Sequence, residues 1–151
     1  MRDEDEFGRF VGEVEPGLRR ALVATYGTER GRDAVAEALA WAWANWPRVQ
    51  SMTNPAGYLY RVGQSRTRNR KSPVIFPDAG DVGLPWIEPA LIDALRSMSE
   101  MQRCAVVLVH GYEWTLGEVA ELMGVRRATV QTHLARGLRR LRAALEVDVD
   151  A

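Results

Sequence analysis

Apolar residues recur at helical spacing through most of the chain. Phe7, Phe10, Val11, Val14, Leu18, Ala21 and Leu22 form the first stripe. Pro16 interrupts it. A proline inside a helix lacks a backbone donor and crowds the preceding turn, so two helical pieces are expected, stopping before Gly27. Val35, Leu39, Trp43 and Trp46 share the next stripe and predict a helix over about Arg30 to Trp46, ended by Pro47. Trp43 and Trp46 are expected in the core, and Trp41 projects elsewhere. The stretch "PRVQSMTN" reads as a loop. Asn54-Pro55 then reads as an N-cap followed by proline at the first helical position. The helix it opens carries Tyr58, Leu59 and Val62 inward and reaches about Lys71.

Residues 72–89 differ, with Pro73, Pro77, Pro85 and Pro89 interspersed with Gly80 and Gly83. They read as an extended linker. Helical patterns resume over about Ala90 to Ser97. Ser99 with Gln102, and Thr115 with Glu118, have capping-box spacing and open two further helices. The first stops at Gly111 and the second at Gly124. No strand pattern and no internal repeat appears. The expected fold is all-α, with two small helical domains at 1–71 and 90–151 joined by the linker at 72–89.

The last helix changes the picture. Val130, Leu134, Leu138, Leu141 and Leu145 form its apolar stripe, while Gln131, Thr132, Arg136, Arg139 and Arg140 fall largely outside it. From Arg126 to Arg142 the chain holds six arginines and no acid, although its formal net charge is zero. The neutrality is a sum of blocks. Residues 1–15 carry six acids against two arginines, and residues 61–71 carry five positive charges and no acid. A basic helix alone reads most simply as a solvated face. A capped short helix, a glycine turn and a basic second helix together read as a helix-turn-helix. Arginine suits phosphate recognition because its guanidinium is planar and always charged.

Other chemistry is sparse. Cys104 is the single cysteine, expected as a small core residue. Cys104, His110 and His133 lack metal-ligand spacing. Neither a nucleophile motif nor a phosphate-cradling glycine loop occurs, so no catalytic residue, metal or cofactor is expected. No apolar run is long enough to span a bilayer, and "MRDEDEFGRF" has no apolar stretch of a secretory signal. A cytoplasmic protein without membrane partners is expected.

"WTLGEVAELMGVRRATVQTHLARGLRRLR" resembles region four of bacterial sigma factors. "RDAVAEALAWAWANWPRV" and "NPAGYLYRVGQSRTRNRK" resemble region two. In this order, with a linker between, the chain is similar to the extracytoplasmic-function group of the sigma-70 family. The resemblance implies binding to core RNA polymerase and promoter DNA, with room for an anti-sigma protein. It places Arg126, Arg127, Thr129, Gln131, Thr132, His133 and Arg136 at the −35 element. It places Asp33 and Glu37, otherwise readable as a solvated helix face, on the polymerase. The −10 element would meet the loop from Val49 to Asn54, with Ser51, Asn54, Tyr58 and Tyr60, and its phosphates would meet Arg61, Arg66, Arg68, Arg70 and Lys71. Gln131 and His133 stand where basic residues are more frequent in the family, and Ser65 where asparagine is. Two other readings stay open: a helix-turn-helix regulator of the LuxR type, and a sigma-like interaction module that does not read DNA.

Overall fold

The computed structural model describes residues 2–68 and 89–149, and among these there are eight α-helices and no strand. Helix α1 (Arg2–Tyr26) runs unbroken through Pro16, contrary to the expected division. Val14, Leu18 and Leu22 continue one i, i+4 stripe across the proline, and Leu18 and Leu22 are sealed in the core. Burying each such side chain contributes about 1.5–3 kcal/mol, enough to offset a proline cost of about 3 kcal/mol. The chain then turns at Gly27, which adopts a left-handed φ of 86°.

Helix α2 (Thr28–Ala44) packs closely on α1. A Cβ at Gly31 would stand 2.6 Å from Val23 Cα, so the two backbones meet where a side chain does not fit. Gly31→Ala is expected to lower stability by about 1–3 kcal/mol through overpacking, read as a lower urea midpoint.

The expected loop after α2 contains a short helix, α3 (Trp46–Gln50). Pro47 sits in its first turn, where a missing N–H costs little, so it opens a helix rather than closing one. Helix α4 (Pro55–Arg68) follows, and Asn54 caps it by accepting from Gly57 N at 3.1 Å. The core of this half is built from Leu18, Leu22, Tyr26, Val35, Ala38, Val49 and Leu59. Phe7 and Phe10 lie 5.2 and 5.1 Å from Trp46, which is buried as expected. Trp43 is not a core residue: Phe7 covers one side at 5.0 Å and 47% of it stays exposed.

The second half begins with α5 (Pro89–Ser97) and α6 (Glu100–Val106), which continues as a π-helical turn over Val107–Gly111. Apart from Pro89, the expected linker at 72–89 lies outside the described residues. Both expected capping boxes are formed, Ser99 with Gln102 and Thr115 with Glu118. The latter opens α7 (Leu116–Met123), and α8 (Arg127–Val149) completes the fold. Val130 of α8 is fully buried, but the stripe fades along the helix, and Leu145 is 36% exposed rather than in the core. Helix α8 packs on α5, α6 and α7, with Gly137 seated against Val106.

The two halves touch, α1 against α6 and α4 against α7. Arg103 of α6 is buried and donates to the carbonyls of Ala24 and Thr25 at the end of α1, and to those of Leu95 and Met98 in its own half. Those α1 carbonyls lie in the last turn, where a helix has no acceptor-satisfying partner of its own. The Arg103 guanidinium supplies one, and burial lowers its pKa from the ordinary arginine value.

Candidate nucleic-acid interface

The turn between α7 and α8 sets the geometry of the basic helix. Gly124 has φ 68° and ψ 34°, the left-handed conformation in which glycine ends a helix without a Cβ penalty. Val125 N returns to Ala120 O at 3.1 Å, and Arg126 O accepts from Thr129 N and Val130 N to start α8. Val130, sealed in the core, fixes the rotation of the helix. That rotation leaves Arg126, Arg127, Gln131, Thr132 and Arg136 exposed. Thr129 and His133 are half-buried. Thr132 Oγ1 donates to Ala128 O at 3.1 Å, which holds its hydroxyl against the helix and turns its methyl group away from that carbonyl. The first two turns of α8 thus present two hydrogen-bonding forks, Arg127 and Gln131, one turn apart. Such forks bond guanine and adenine edges in the major groove.

Farther along α8 the arginines divide. Arg139, Arg140 and Arg142 are all exposed, and Arg140 also donates to Ser97 O at the end of α5. Arg140 therefore ties α8 to α5, a role that the sequence does not announce.

A second polar surface lies where α2, α3 and α4 meet. Trp41 and Tyr58 stand 5.1 Å apart with rings tilted by 35°. Arg48 lies over both, 5.7 Å from Trp41 and 5.3 Å from Tyr58, and donates to the Tyr58 hydroxyl at 3.2 Å. A cleft of about 320 Å³ opens beside them, lined by Trp41, Tyr58, Arg61, Val62, Ser65 and Arg66. Ser51 is exposed at the end of α3, with its hydroxyl bonded to Arg48 O at 2.7 Å. Arg68 closes α4, and Arg70 and Lys71 lie outside the described residues.

Tyr60 is placed differently from the sequence reading. It is fully buried, its hydroxyl 3.0 Å from Thr25 Oγ1 and donating to Cys104 Sγ at 3.5 Å. Burial pushes the Tyr60 and Cys104 pKa values up, so both stay neutral. Tyr60 is turned in because it lies two residues beyond Tyr58, on the opposite side of α4. The periodicity that puts Leu59 in the core admits only one of the two tyrosines to the open face. Arg48 and Trp41 are the functional candidates missed from sequence. Trp41 carried a signal, its departure from the apolar stripe. Arg48 carried none, because its setting is made by rings from two other helices. On the same side of α2 as Trp41, eight and four residues before it, Asp33 is exposed and Glu37 half-buried, one turn apart.

Among the described residues no helix is long and apolar enough to cross a membrane. Residues 89–141 match the family model for region 4 of sigma-70. The chain is 33% identical over 132 residues to an RNA polymerase sigma-E factor of Streptomyces antibioticus, covering 80% of this chain and 73% of that protein. Its fold is similar to that of the sigma factor RpoE solved with the anti-sigma factor NepR from Bartonella quintana, with a TM-score of 0.66 at 22% identity over 95% of this chain and 98% of that one. With the curated relative matched across both halves and the helix-turn-helix in place, the chain belongs to the extracytoplasmic-function group of the sigma-70 family, the sigma factors that direct transcription initiation by RNA polymerase.

Proposed function

We propose a division of labour along the chain. Residues 1–71 bind core polymerase and the −10 element, and residues 90–151 read the −35 element. The observation that carries this reading is the rotation of α8. Val130 is sealed while Arg127, Gln131 and Thr132 face solvent in the first two turns, the part of a helix-turn-helix that meets base edges. Arg126 and Arg136 flank them toward phosphates, with Thr129 and His133 packed at the edge of the contact. Arg139 and Arg142 begin about 18 Å along the helix axis from Arg127, too far to share its base pairs. They serve phosphates or the polymerase surface.

In the first half, the cleft beside Trp41 and Tyr58 takes an unstacked base of the −10 strand. Stacking on an aromatic ring contributes about 1–3 kcal/mol per base, comparable with the cost of unstacking. Ser51 and Asn54 border this surface. Arg61, Arg66, Arg68, Arg70 and Lys71 carry the adjoining phosphates. The chain acts as a binding subunit rather than an enzyme, in the cytoplasm where polymerase and promoter are. An anti-sigma protein is a further partner, as NepR is for the RpoE structure.

Polymerase docking is assigned to Asp33 and Glu37. The paired substitutions Asp33→Arg and Glu37→Arg are expected to weaken core binding at least about tenfold by charge reversal at a contact. Titration of fluorescently labelled sigma factor with core polymerase reads this, with circular dichroism verifying the fold. Unchanged affinity would remove α2 from the docking surface.

A further inference from the structure

Several polar side chains at the helix-turn-helix find partners within the chain. Asn54 Nδ2 donates to Glu121 O at 2.7 Å, Arg61 Nη2 to Gly124 O at 3.1 Å, and Thr132 Oγ1 to Ala128 O at 3.1 Å. His133 differs. Its Nδ1 is enclosed and has no hydrogen-bond partner among the described residues, although the residue as a whole is only half-buried. The open part of the ring is therefore the end that carries Nε2.

Helix geometry fixes where that end lies. At about 100° per residue, His133 is about 60° around α8 from the sealed Val130 and about 160° from the exposed Gln131. It stands on the flank of the helix, on the same side as Thr129, four residues before it, and Arg136, three after. A helix laid in the major groove turns its outer face to base edges and its flanks to the phosphate backbones. His133 and Arg136 share one such flank.

A neutral imidazole has one N–H and one lone pair. With the proton on Nδ1, the enclosed site would hold a donor without an acceptor. With the proton on Nε2 it holds a lone pair instead, and orphaned buried N–H groups are the rarer of the two. A backbone phosphate oxygen accepts and does not donate, so a ring that meets it must present its proton there. Both considerations put the proton on the outward nitrogen. We propose that His133 anchors a backbone phosphate at the −35 element, with its ring held in the Nε2–H form so that the outward nitrogen is a fixed donor. The proposal rests on the −35 reading of α8 given above.

The ring is read first, in the free, isotope-labelled full chain. Long-range proton–nitrogen correlations distinguish the two forms of the ring, and His110, the other histidine, is exposed and gives a second ring for comparison. In mildly alkaline buffer the proton of His133 is expected on Nε2. The contact is read in RNA polymerase holoenzyme. His133→Gln puts an amide donor where Nε2 stands and a methylene where Nδ1 is enclosed, so promoter affinity is expected to stay within about threefold of the parent. His133→Leu fills the site without a donor and is expected to lower affinity about tenfold for all −35 sequences alike, leaving the recovered motif unchanged. Urea midpoints establish that each variant folds, and His133→Met replaces His133→Leu should that variant fail. A proton on Nδ1, equal affinities for the Gln and Leu variants, or a motif altered at one base would overturn the proposal. The −35 reading itself is tested by Gln131→Ala in the same holoenzyme, and the ring is read without DNA, so failure of that reading is distinguishable from failure of the His133 assignment.

Discussion

Arg103→Ala is expected to destabilise the protein by about 3–5 kcal/mol, a large share of the roughly 5–15 kcal/mol that holds a domain together. The cause is specific. The guanidinium is buried and supplies donors to carbonyls of Ala24, Thr25, Leu95 and Met98. Hydrogen bonds to a charged group contribute about 1.5–3 kcal/mol, and each buried carbonyl left without a partner costs about 1–3 kcal/mol. Arg103→Met, which keeps the length of the stem, separates lost packing from lost hydrogen bonding. Urea denaturation followed by tryptophan fluorescence measures both. If the two variants unfolded at the parent midpoint, the junction of α1 with α6 would not depend on this side chain.

Arg103 also marks where sequence reading runs out. Local signals were legible. Ser99 with Gln102 and Thr115 with Glu118 cap their helices as their spacing predicts, because a capping box is complete within four residues. The order of helices and the exposed face of α8 followed from period and glycine placement in the same way. Proline was misread twice for opposite reasons. At Pro16 the continuing stripe of Val14, Leu18 and Leu22 overrides a local penalty. At Pro47 the penalty is absent, because the residue falls in a first turn. The errors at Trp43, Tyr60 and Leu145 concern which side of a helix finds a partner, and the partner comes from another element. The bonds of Arg61, Arg103 and Arg140 reach 63, 78 and 43 residues along the chain. No windowed pattern carries such contacts: Arg61 reads as a phosphate ligand in the sequence, and nothing local sets Arg103 or Arg140 apart until the fold joins them.

The resemblance to sigma factors named residues for DNA, and the structure sorts them by exposure. Arg127 and Gln131 are exposed at the start of α8. Arg61 and Asn54 are engaged within the chain, and Tyr60 is enclosed. The sharpest consequence falls on Gln131. A bidentate contact from an amide side chain to adenine contributes about 1–3 kcal/mol of discrimination against other bases, a factor of roughly 5 to 150 at one position. Gln131→Ala is therefore expected to relax one base of the −35 element and leave the rest. Arg139→Ala, beyond the reach of those bases, is expected to lower affinity for all sequences alike, as loss of a phosphate contact does. The most direct measurement is selection from a randomised −35 library by RNA polymerase holoenzyme reconstituted with the parent chain, with Gln131→Ala and with Arg139→Ala. The parent and Arg139→Ala are expected to recover the same motif, while Gln131→Ala recovers it with one position degenerate. Recovery of an identical motif by Gln131→Ala, or of no motif by the parent holoenzyme, would contradict base reading by α8.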